Sequence, residues 1–532
     1  MKAPPFANAQ ALPRLAPLRM LTGVAVLSAC GMALGYARDA SLAAVFGASA
    51  ATDAFFVAAI IPTIAVAVLI AGALAPAALP VFGARLEQRA QAWRLANILL
   101  SWSALLLLFC VALIFFAAAG LVSWLAPGLD QETRALAIDL TRLGAPLLFL
   151  LGMSALLGAF ANALGSFRLP ALATLLVNGA AFAAILAFGR RMGISSAMWG
   201  LMAGAGLHLL AQLFGLYRQG WRPAFSLTWR NAELRETLRL LIPLIAFVAL
   251  AQSVPIVERT MASSFPSGEL SLLAYAGKLF QIPGIVVSSS LAVVLYPHLI
   301  QTRTHAPRAA KEWNDTLAQG ARACIFLTLP LTLWFYFNAD AIVRLLFERG
   351  AFSVADSATT AELARLYLLG VTPAGILLVW TRGLHARRKM NLALGLGALN
   401  TALYIAAAFV CAQRFGLRGL PIAFVAAQLF GCLLFAPFAF EPRGWRAVWH
   451  RSLGATGAAN LALALGWFAS GQLTQNFHGA ALFALLSVSL LSGALLYLCL
   501  AGWWGSAEAR DYIELGRARW KKFSASLLFG RE

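Results

Sequence analysis

Residues 35–58 read GYARDASLAAVFGASAATDAFFVA, and they place three charged side chains between two long apolar runs. Arg38 and Asp39 lie near the end of the first run, and Asp53 lies near the start of the second. An ionisable side chain at the centre of a bilayer costs about 2.5–3.5 kcal/mol on insertion scales. The stretch therefore predicts two membrane helices joined by a short turn, with charges that need a partner or a function.

The composition of the whole chain supports a membrane protein. Of 532 residues, 61% are hydrophobic and 12% are charged, with a mean hydropathy of +0.78. A soluble globular chain is about 25% charged, so a water-soluble enzyme, a disordered protein and a secreted disulfide scaffold are excluded. The pattern predicts an all-α polytopic membrane protein of about fourteen transmembrane helices. The predicted spans are 20–46, 52–82, 93–120, 136–162, 169–189, 195–217, 237–261, 270–300, 316–338, 359–384, 391–413, 417–440, 453–471 and 479–504.

The positive charges predict the orientation of these spans. With the N-terminus in the cytoplasm, 29 of the 41 Lys and Arg residues fall on cytoplasmic loops and flanks, 9 on the outer side and 3 within the membrane. This asymmetry follows the positive-inside rule and places both termini in the cytoplasm. Residues 1–19 are a predicted cytoplasmic segment, and residues 506–532 a basic amphipathic helix at the membrane surface or a solvated tail. Cations between apolar runs indicate membrane lipid, and no nucleic acid, as their partner.

An offset of 221 residues predicts an internal repeat. Gly and Pro fix local conformation, so their recurrence in register indicates two copies of one unit. We therefore predict an N-lobe of six helices at 20–230, a C-lobe of six helices at 231–440 and two further helices within 441–505. Lobes of this kind face each other across a cavity in many alternating-access carriers. The paired positions are Arg38 and Arg259, Gly47 and Gly268, Pro62 and Pro283, and Pro76 and Pro297.

Six ionisable residues are predicted at or near membrane depth, in spans 1, 2, 7 and 8. Three are cations that would line a water-filled cavity and bind an anionic head group, because a guanidinium fork and an ammonium both suit phosphate. The alternative is mutual neutralisation, with Arg38 paired to Asp53 and Arg259 to Glu258. Lys278 has no acidic residue within one turn on its own helix. The six residues are Arg38, Asp39, Asp53, Glu258, Arg259 and Lys278.

Motifs for catalysis and metal binding are missing from the sequence. It contains no GxxxxGK[ST] loop and no HExxH, and its six histidines are scattered. The longest predicted outer connection, 338–358, is too short to carry the catalytic groups of a glycosyl transferase or polymerase. We therefore predict a transporter and no enzyme, with no cofactor and no metal. Uphill transport would draw on the membrane potential, H⁺ or Na⁺.

Five blocks of sequence resemble the MurJ/MviN family over roughly residues 20–440. The resemblance implies a monomeric fourteen-helix, two-lobe transporter of the bacterial inner membrane. Its partner would be the lipid-linked peptidoglycan precursor lipid II, moved from the inner to the outer leaflet. The superfamily also holds multidrug exporters and other lipid-linked oligosaccharide flippases. The blocks are GYARDA (35–40), VFGASAATDAFFVA (45–58), YAGKLFQIP (275–283), LFERGAFSVADS (346–357) and GLHARRKM (383–390).

The same resemblance implies roles for individual residues. Arg38 matches a cavity arginine of the family, and Lys278 stands where the family usually has another. Asp39 and Asp53 match acidic residues near the outer gate.

The chain departs from the family pattern at residues that carry charge in the family. Met32 and the pair Val66–Ala67 replace family arginines, and Ala71 replaces a nearby glutamate. Two alternatives to lipid II therefore stay open: another lipid-linked oligosaccharide such as an exopolysaccharide repeat unit, or an ion-coupled small-molecule exporter. An exporter of cations predicts mainly acidic residues in the cavity, and the balance of three cations to three anions argues against it.

Overall fold

The computed structural model describes residues 16–229, 232–284, 307–441, 444–448, 451–506, 508–510 and 513–514. Within these ranges the chain consists of helices joined by short turns, with no strand, which confirms the all-α prediction. Eleven helical stretches of the described residues are long and apolar enough to cross a membrane, so the chain is a multi-pass membrane protein. The count of fourteen spans stays a prediction. Residues 1–15, and most of the predicted tail 506–532, lie outside the described residues.

The described residues divide into two compact units. Unit 1 contains residues up to Ser271 together with Arg349–Phe352, and unit 2 contains Leu272–Glu348 and the chain from Ser353 onward. The helices of unit 1 are α1 (Ala16–Phe46), α2 (Ala50–Val66), α3 (Ala75–Gly83), α4 (Arg89–Leu125), α5 (Gln131–Ala163), α6 (Arg168–Met192), α7 (Ser195–Arg218) and α8 (Ala232–Ala262).

Unit 2 begins with a helix over 269–284, here called α9, whose first residues belong to unit 1. The predicted span 359–384 is divided into two helices by a turn at Leu369–Gly370. The further helices of unit 2 are α10 (Pro307–Phe337), α11 (Ala339–Leu346), α12 (Val354–Leu368), α13 (Val371–Ala386), α14 (Met390–Phe415), α15 (Gly419–Ala439), α16 (Arg451–Leu473) and α17 (Gly479–Trp503).

A π-helix, Ala67–Leu74, joins α2 to α3 within one predicted span. Proline lacks a backbone N–H and its ring clashes with the carbonyl four residues earlier. Pro76 lies just after the π-helix, at the start of α3. The N–H of Ala75 bonds to the carbonyl of Ile70, five residues back, so the wider turn keeps the backbone hydrogen-bonded up to the proline.

Helix α8 packs on unit 1, although the repeat assigns it to the C-lobe. In the π-helix, Gly72 has no side chain, and a Cβ there would lie 2.8 Å from Val248 of α8. At the predicted cytoplasmic end, Arg85 Nε lies 3.2 Å from Glu233 of α8. The unit boundary at 271/272 thus follows α8, one helix later than the predicted lobe boundary at 230/231. The lobe assignment itself stays a prediction.

Unit 2 has its own core between α10, α13 and α15. Trp313 is fully buried there, and its indole Nε1 donates to the carbonyl of Ala439 over 2.9 Å. Arg387 stacks on the Trp313 ring, with its guanidinium carbon 4.1 Å from the ring centroid. Arg322 pairs with Glu508 at 3.0 Å, which ties the start of the C-terminal segment to α10.

Candidate functional site

Asp53 is the centre of a cluster of turns in unit 1. Asp53 is 3% exposed, and its two carboxylate oxygens accept hydrogen bonds from the turn between α8 and α9. Oδ2 accepts from the backbone N–H of Gly268 over 2.6 Å. Oδ1 accepts from the backbone N–H of Ser271 over 2.8 Å and from the Ser271 hydroxyl. A carboxylate is the natural partner for several converging donors.

Two other turns join this arrangement, which we call the Asp53 cluster. The backbone N–H of Ala351 donates to the carbonyl of Ala44 over 2.8 Å. The backbone N–H of Gly128 donates to the Ser263 hydroxyl over 3.1 Å. The cluster is formed by residues 44–53, 126–130, 263–271 and 349–352, and it includes parts of two of the blocks that carry the family resemblance.

Glycines make the close packing of the Asp53 cluster possible. Gly47, Gly268 and Gly350 have φ values of +65°, +92° and +62°, a region that favours glycine. A Cβ on Gly47 would lie 2.6 Å from the carbonyl oxygen of Ala351, and one on Gly268 would lie 2.6 Å from that of Ala48. Gly47 and Gly268 are also one of the pairs related by the predicted 221-residue repeat.

Arg38 is held by two partners within unit 1. Its Nη2 and Nε lie 2.6 and 2.9 Å from Oδ1 of Asp39, and its Nη1 donates to Oδ1 of Asn178 on α6 over 2.9 Å. Asn178 in turn donates to the carbonyl of Gly31 over 3.1 Å, which fixes its amide. The alternative ion pair between Arg38 and Asp53 is therefore wrong: Asp39 pairs with the arginine, and the Asp53 oxygens accept from Gly268 and Ser271.

The remaining predicted site residues are half-buried. The guanidinium carbon of Arg259 on α8 lies 5.7 Å from the ring centroid of Phe56, a cation–π distance. Glu258 precedes Arg259 on α8. The structure thus pairs Arg38 with Asp39 and places Arg259 beside Phe56, while Lys278 lies on α9 in unit 2.

The positions that depart from the family pattern carry apolar side chains in unit 1. Met32 is 41% exposed on α1, and Val66 is 8% exposed at the end of α2. Ala67 is the first residue of the π-helix.

Two cavities lie inside the units. In unit 2, a cavity of about 690 Å³ between α10, α13, α15 and α16 has an almost wholly apolar lining that includes Pro373, Trp380 and Leu433. In unit 1, a cavity of about 470 Å³ is lined by α2, the π-helix, α3, α5, α6 and α7.

The cavity of unit 1 contains polar groups that the sequence analysis missed. His208 and Gln212 of α7 and Ser154 of α5 line it, and each is at most 3% exposed. The six histidines form no metal or catalytic motif in the sequence, so no role was predicted for His208. The sequence does contain one signal. His208 and Gln212 are four residues apart, so they lie on the same face of a largely apolar helix.

These features define a class: a multi-pass helical membrane transporter. Comparison with known proteins identifies its family. The chain belongs to the MurJ family, because the family model described as lipid II flippase MurJ matches residues 42–485.

Relatives and solved structures agree with this assignment. A probable lipid II flippase MurJ of Bdellovibrio bacteriovorus is 27% identical over 414 residues, covering 75% of this chain and 78% of the relative. The lipid II flippase MurJ of Burkholderia cenocepacia is 26% identical over 385 residues, covering 70% and 74%.

A structure of lipid II flippase MurJ in an inward closed conformation matches the fold with a TM-score of 0.73 at 20% identity, covering 92% of this chain and 99% of that one. An inward-facing MATE family multidrug transporter of the MOP superfamily matches with a TM-score of 0.60 at 14% identity, covering 77% and 94%. Both likenesses show the fold alone.

Proposed function

We propose that this protein moves a polyprenyl-diphosphate-linked saccharide, most simply lipid II, from the inner to the outer leaflet of the bacterial inner membrane by alternating access. The match of the MurJ family model to residues 42–485 carries the proposal. The protein would act as a monomer with both termini in the cytoplasm, consistent with the charge asymmetry of its loops. Its partners would be the lipid-linked glycan and membrane lipid.

Arg38 is the best-supported residue of the proposed anion site. Asp39 and Asn178 engage three of its five N–H donors and hold the guanidinium plane in one orientation. A guanidinium fixed in this way is preorganised to bind a phosphate through its remaining edge. We also assign Arg259 and Lys278 to binding the diphosphate. The energy for transport would come from the membrane potential, worth about 2.3 kcal/mol per charge per 100 mV, or from H⁺ or Na⁺.

The Asp53 cluster is suited to act as a gate. Opening this end of unit 1 requires the turn at 263–271 to leave Asp53 and exposes a carboxylate that now accepts three hydrogen bonds. Hydrogen bonds to charged groups contribute about 1.5–3 kcal/mol each, so the closed state has a barrier to opening. We assign Asp53, with Asp39 and Glu258, to gating and coupling.

A second candidate substrate is another lipid-linked oligosaccharide, such as an exopolysaccharide repeat unit. The observation in its favour is the apolar character of Met32, Val66 and Ala67, where the MurJ pattern has arginines. A cavity with fewer cations holds a diphosphate less tightly. The third candidate, an ion-coupled small-molecule exporter, has only the fold likeness to MATE transporters in its favour.

Complementation tests the proposed function. The protein is expressed in cells depleted of their own flippase, and lipid II in the outer leaflet is assayed. We expect the wild type to restore outer-leaflet lipid II, and Arg38→Ala and Lys278→Ala to abolish it while remaining inserted. Failure of the wild type to restore lipid II would favour the other glycan.

The matched control is Arg142→Ala. Arg142 is an arginine of unit 1 whose side chain is 43% exposed and pairs with Asp139 at 3.7 Å. A surface pair of this kind contributes about 0–1 kcal/mol, so this variant should transport normally. Normal transport by both Arg38→Ala and Lys278→Ala would show that the anion site is assigned wrongly.

A further inference from the structure

We propose that the cavity of unit 1 is a subsite for the uncharged, amide- and hydroxyl-bearing sugar portion of the transported lipid, with His208, Gln212 and Ser154 as its hydrogen-bonding groups. The inference deepens the proposed function and rests on it. It separates the site for the sugar from the cations proposed to hold the diphosphate.

The polar groups of this cavity sit on rigid, closely packed helices. Helix α7 packs on α6 at Gly204, where a Cβ would lie 2.5 Å from the carbonyl oxygen of Leu176. Gln212 Nε2 donates to the backbone carbonyl of Ser154 over 3.0 Å, which connects α7 to α5. His208 and Gln212 are 3% and 1% exposed, so their side chains are held in place by the surrounding protein before a ligand binds.

Three polar atoms of these side chains have no hydrogen-bond partner among the described residues: His208 Nδ1, Gln212 Oε1 and Ser154 Oγ. The other imidazole nitrogen, Nε2, lies 3.0 Å from Gln212 Nε2 and 3.2 Å from the Leu169 carbonyl. Nε2 therefore accepts from the glutamine or donates to the carbonyl, depending on the tautomer. In either tautomer Nδ1 is left for a ligand, as a donor or an acceptor.

Buried polar atoms without partners are costly. Each unsatisfied group costs about 1–3 kcal/mol in a protein interior, and the three residues that carry these atoms line one cavity. A ligand that supplies both donors and acceptors recovers this cost. Gln212 Oε1 accepts, the Ser154 hydroxyl does either, and His208 Nδ1 adapts by tautomer, so an N-acetyl amide or a pair of sugar hydroxyls would match the set.

The absence of charge in the cavity lining selects against the diphosphate. Its lining, all of it within the described residues, contains no Asp, Glu, Lys or Arg. Val66 and Ala71, two of the positions where the family pattern carries charge, are part of this lining. The volume of about 470 Å³ falls within the range of about 300–1,000 Å³ typical of small-ligand sites. An uncharged ring fits such a site better than a diphosphate does.

Binding to the full-length protein in lipid nanodiscs tests the subsite. The probes are lipid II and the same polyprenyl diphosphate without sugar, and the variants are Gln212→Met and His208→Phe. We expect each variant to bind lipid II roughly two- to tenfold more weakly, since a lost neutral hydrogen bond is worth about 0.5–1.5 kcal/mol. The affinity for the sugar-free lipid should not change, which also shows that the variant is folded.

The matched control is Gln219→Met. Gln219 lies just beyond α7 outside the cavity, and its Nε2 donates to the carbonyl of Gly215 over 3.4 Å. This variant should bind both probes as the wild type does.

Two results would overturn the subsite while leaving the proposed function intact. In the first, Gln212→Met and His208→Phe weaken the binding of both probes equally. In the second, neither variant changes the binding of lipid II. Wild-type protein that binds neither probe would overturn the proposed function and the subsite together.

Discussion

Replacing Asp53 with asparagine should open the turn between α8 and α9. Asparagine keeps the size of aspartate but has one acceptor oxygen, and its amide nitrogen only donates. The backbone N–H groups of Gly268 and Ser271 bind different carboxylate oxygens, at 2.6 and 2.8 Å. In Asp53→Asn one of these N–H groups must therefore face another donor. The site is buried, so water does not replace the lost bond without local opening.

The size of the effect follows from these contacts. The variant loses at least one charge-assisted hydrogen bond, about 1.5–3 kcal/mol, and leaves a buried donor unsatisfied, about 1–3 kcal/mol. Because these costs overlap, we expect the opening of the turn to become easier by about 2–4 kcal/mol. A difference of 1.4 kcal/mol is a factor of ten. Amide exchange that proceeds through local opening should accelerate by roughly 30- to 1,000-fold.

Hydrogen–deuterium exchange of the full-length protein in nanodiscs measures this change in peptides covering 263–271. Ser271→Ala is the matched control, because it removes one hydroxyl donor and leaves both backbone N–H groups bonded to the carboxylate. Its exchange should rise by roughly 10- to 150-fold, which is less than in Asp53→Asn because no buried donor is left unsatisfied. Peptides covering 126–130 should respond with the turn, since Gly128 donates to the Ser263 hydroxyl. Exchange in Asp53→Asn no faster than in Ser271→Ala would refute the role assigned to the carboxylate.

Two further predictions concern local structure in unit 1. Gly350→Ala should lower the melting temperature more than Gly165→Ala. Both glycines have a positive φ, which costs about 1 kcal/mol for alanine. A Cβ on Gly350 would also contact the Ala44 carbonyl, whereas a Cβ on Gly165 would contact nothing within 4 Å. Equal melting temperatures would contradict the packing described for the Asp53 cluster. Hydrogen bonds from the side chain and backbone of Thr133 lower the pKa of Asp130, the N-cap of α5, below its ordinary value of 3.8. The cap therefore stabilises α5 at neutral pH and is lost as the pH falls through that lowered pKa. Asp130→Ala should speed exchange at the first amides of α5 at pH 7, and the difference from the wild type should vanish in strong acid. A difference that persisted there would argue against the carboxylate as the cap.

The helices were predictable because their signal is local. Apolar runs separated by charges and turn residues placed a span at 195–217, and the structure has α7 at Ser195–Arg218. The π-helix was harder to predict. Pro76 indicates that the helix is disrupted, but it does not indicate that the disruption takes the form of a wider helical turn. The interruption at Leu369–Gly370 between α12 and α13 likewise falls inside an apolar run that looks continuous.

The contacts of the site were less predictable because they join distant parts of the chain. The sequence singled out Asp53 by the cost of burying its charge, but the identity of its partners depends on a turn more than 200 residues away. The partner of Arg38 proved to be its own neighbour, Asp39, with help from Asn178 on α6. In the sequence His208 is one isolated histidine among six, and only the fold shows that it lines the same cavity as Ser154.

The placement of Arg349–Phe352 has a consequence for biosynthesis. These four residues complete unit 1, yet α9, α10 and α11 of unit 2 precede them in the chain. Chains are made from the N-terminus, and early segments begin to fold while later ones are still being synthesised. At least these three described helices of unit 2 must therefore be synthesised before residues 349–352 can join unit 1. A nascent chain that ends before Arg349 would have an incomplete unit 1, because the Ala44 carbonyl would lack its hydrogen bond from the N–H of Ala351.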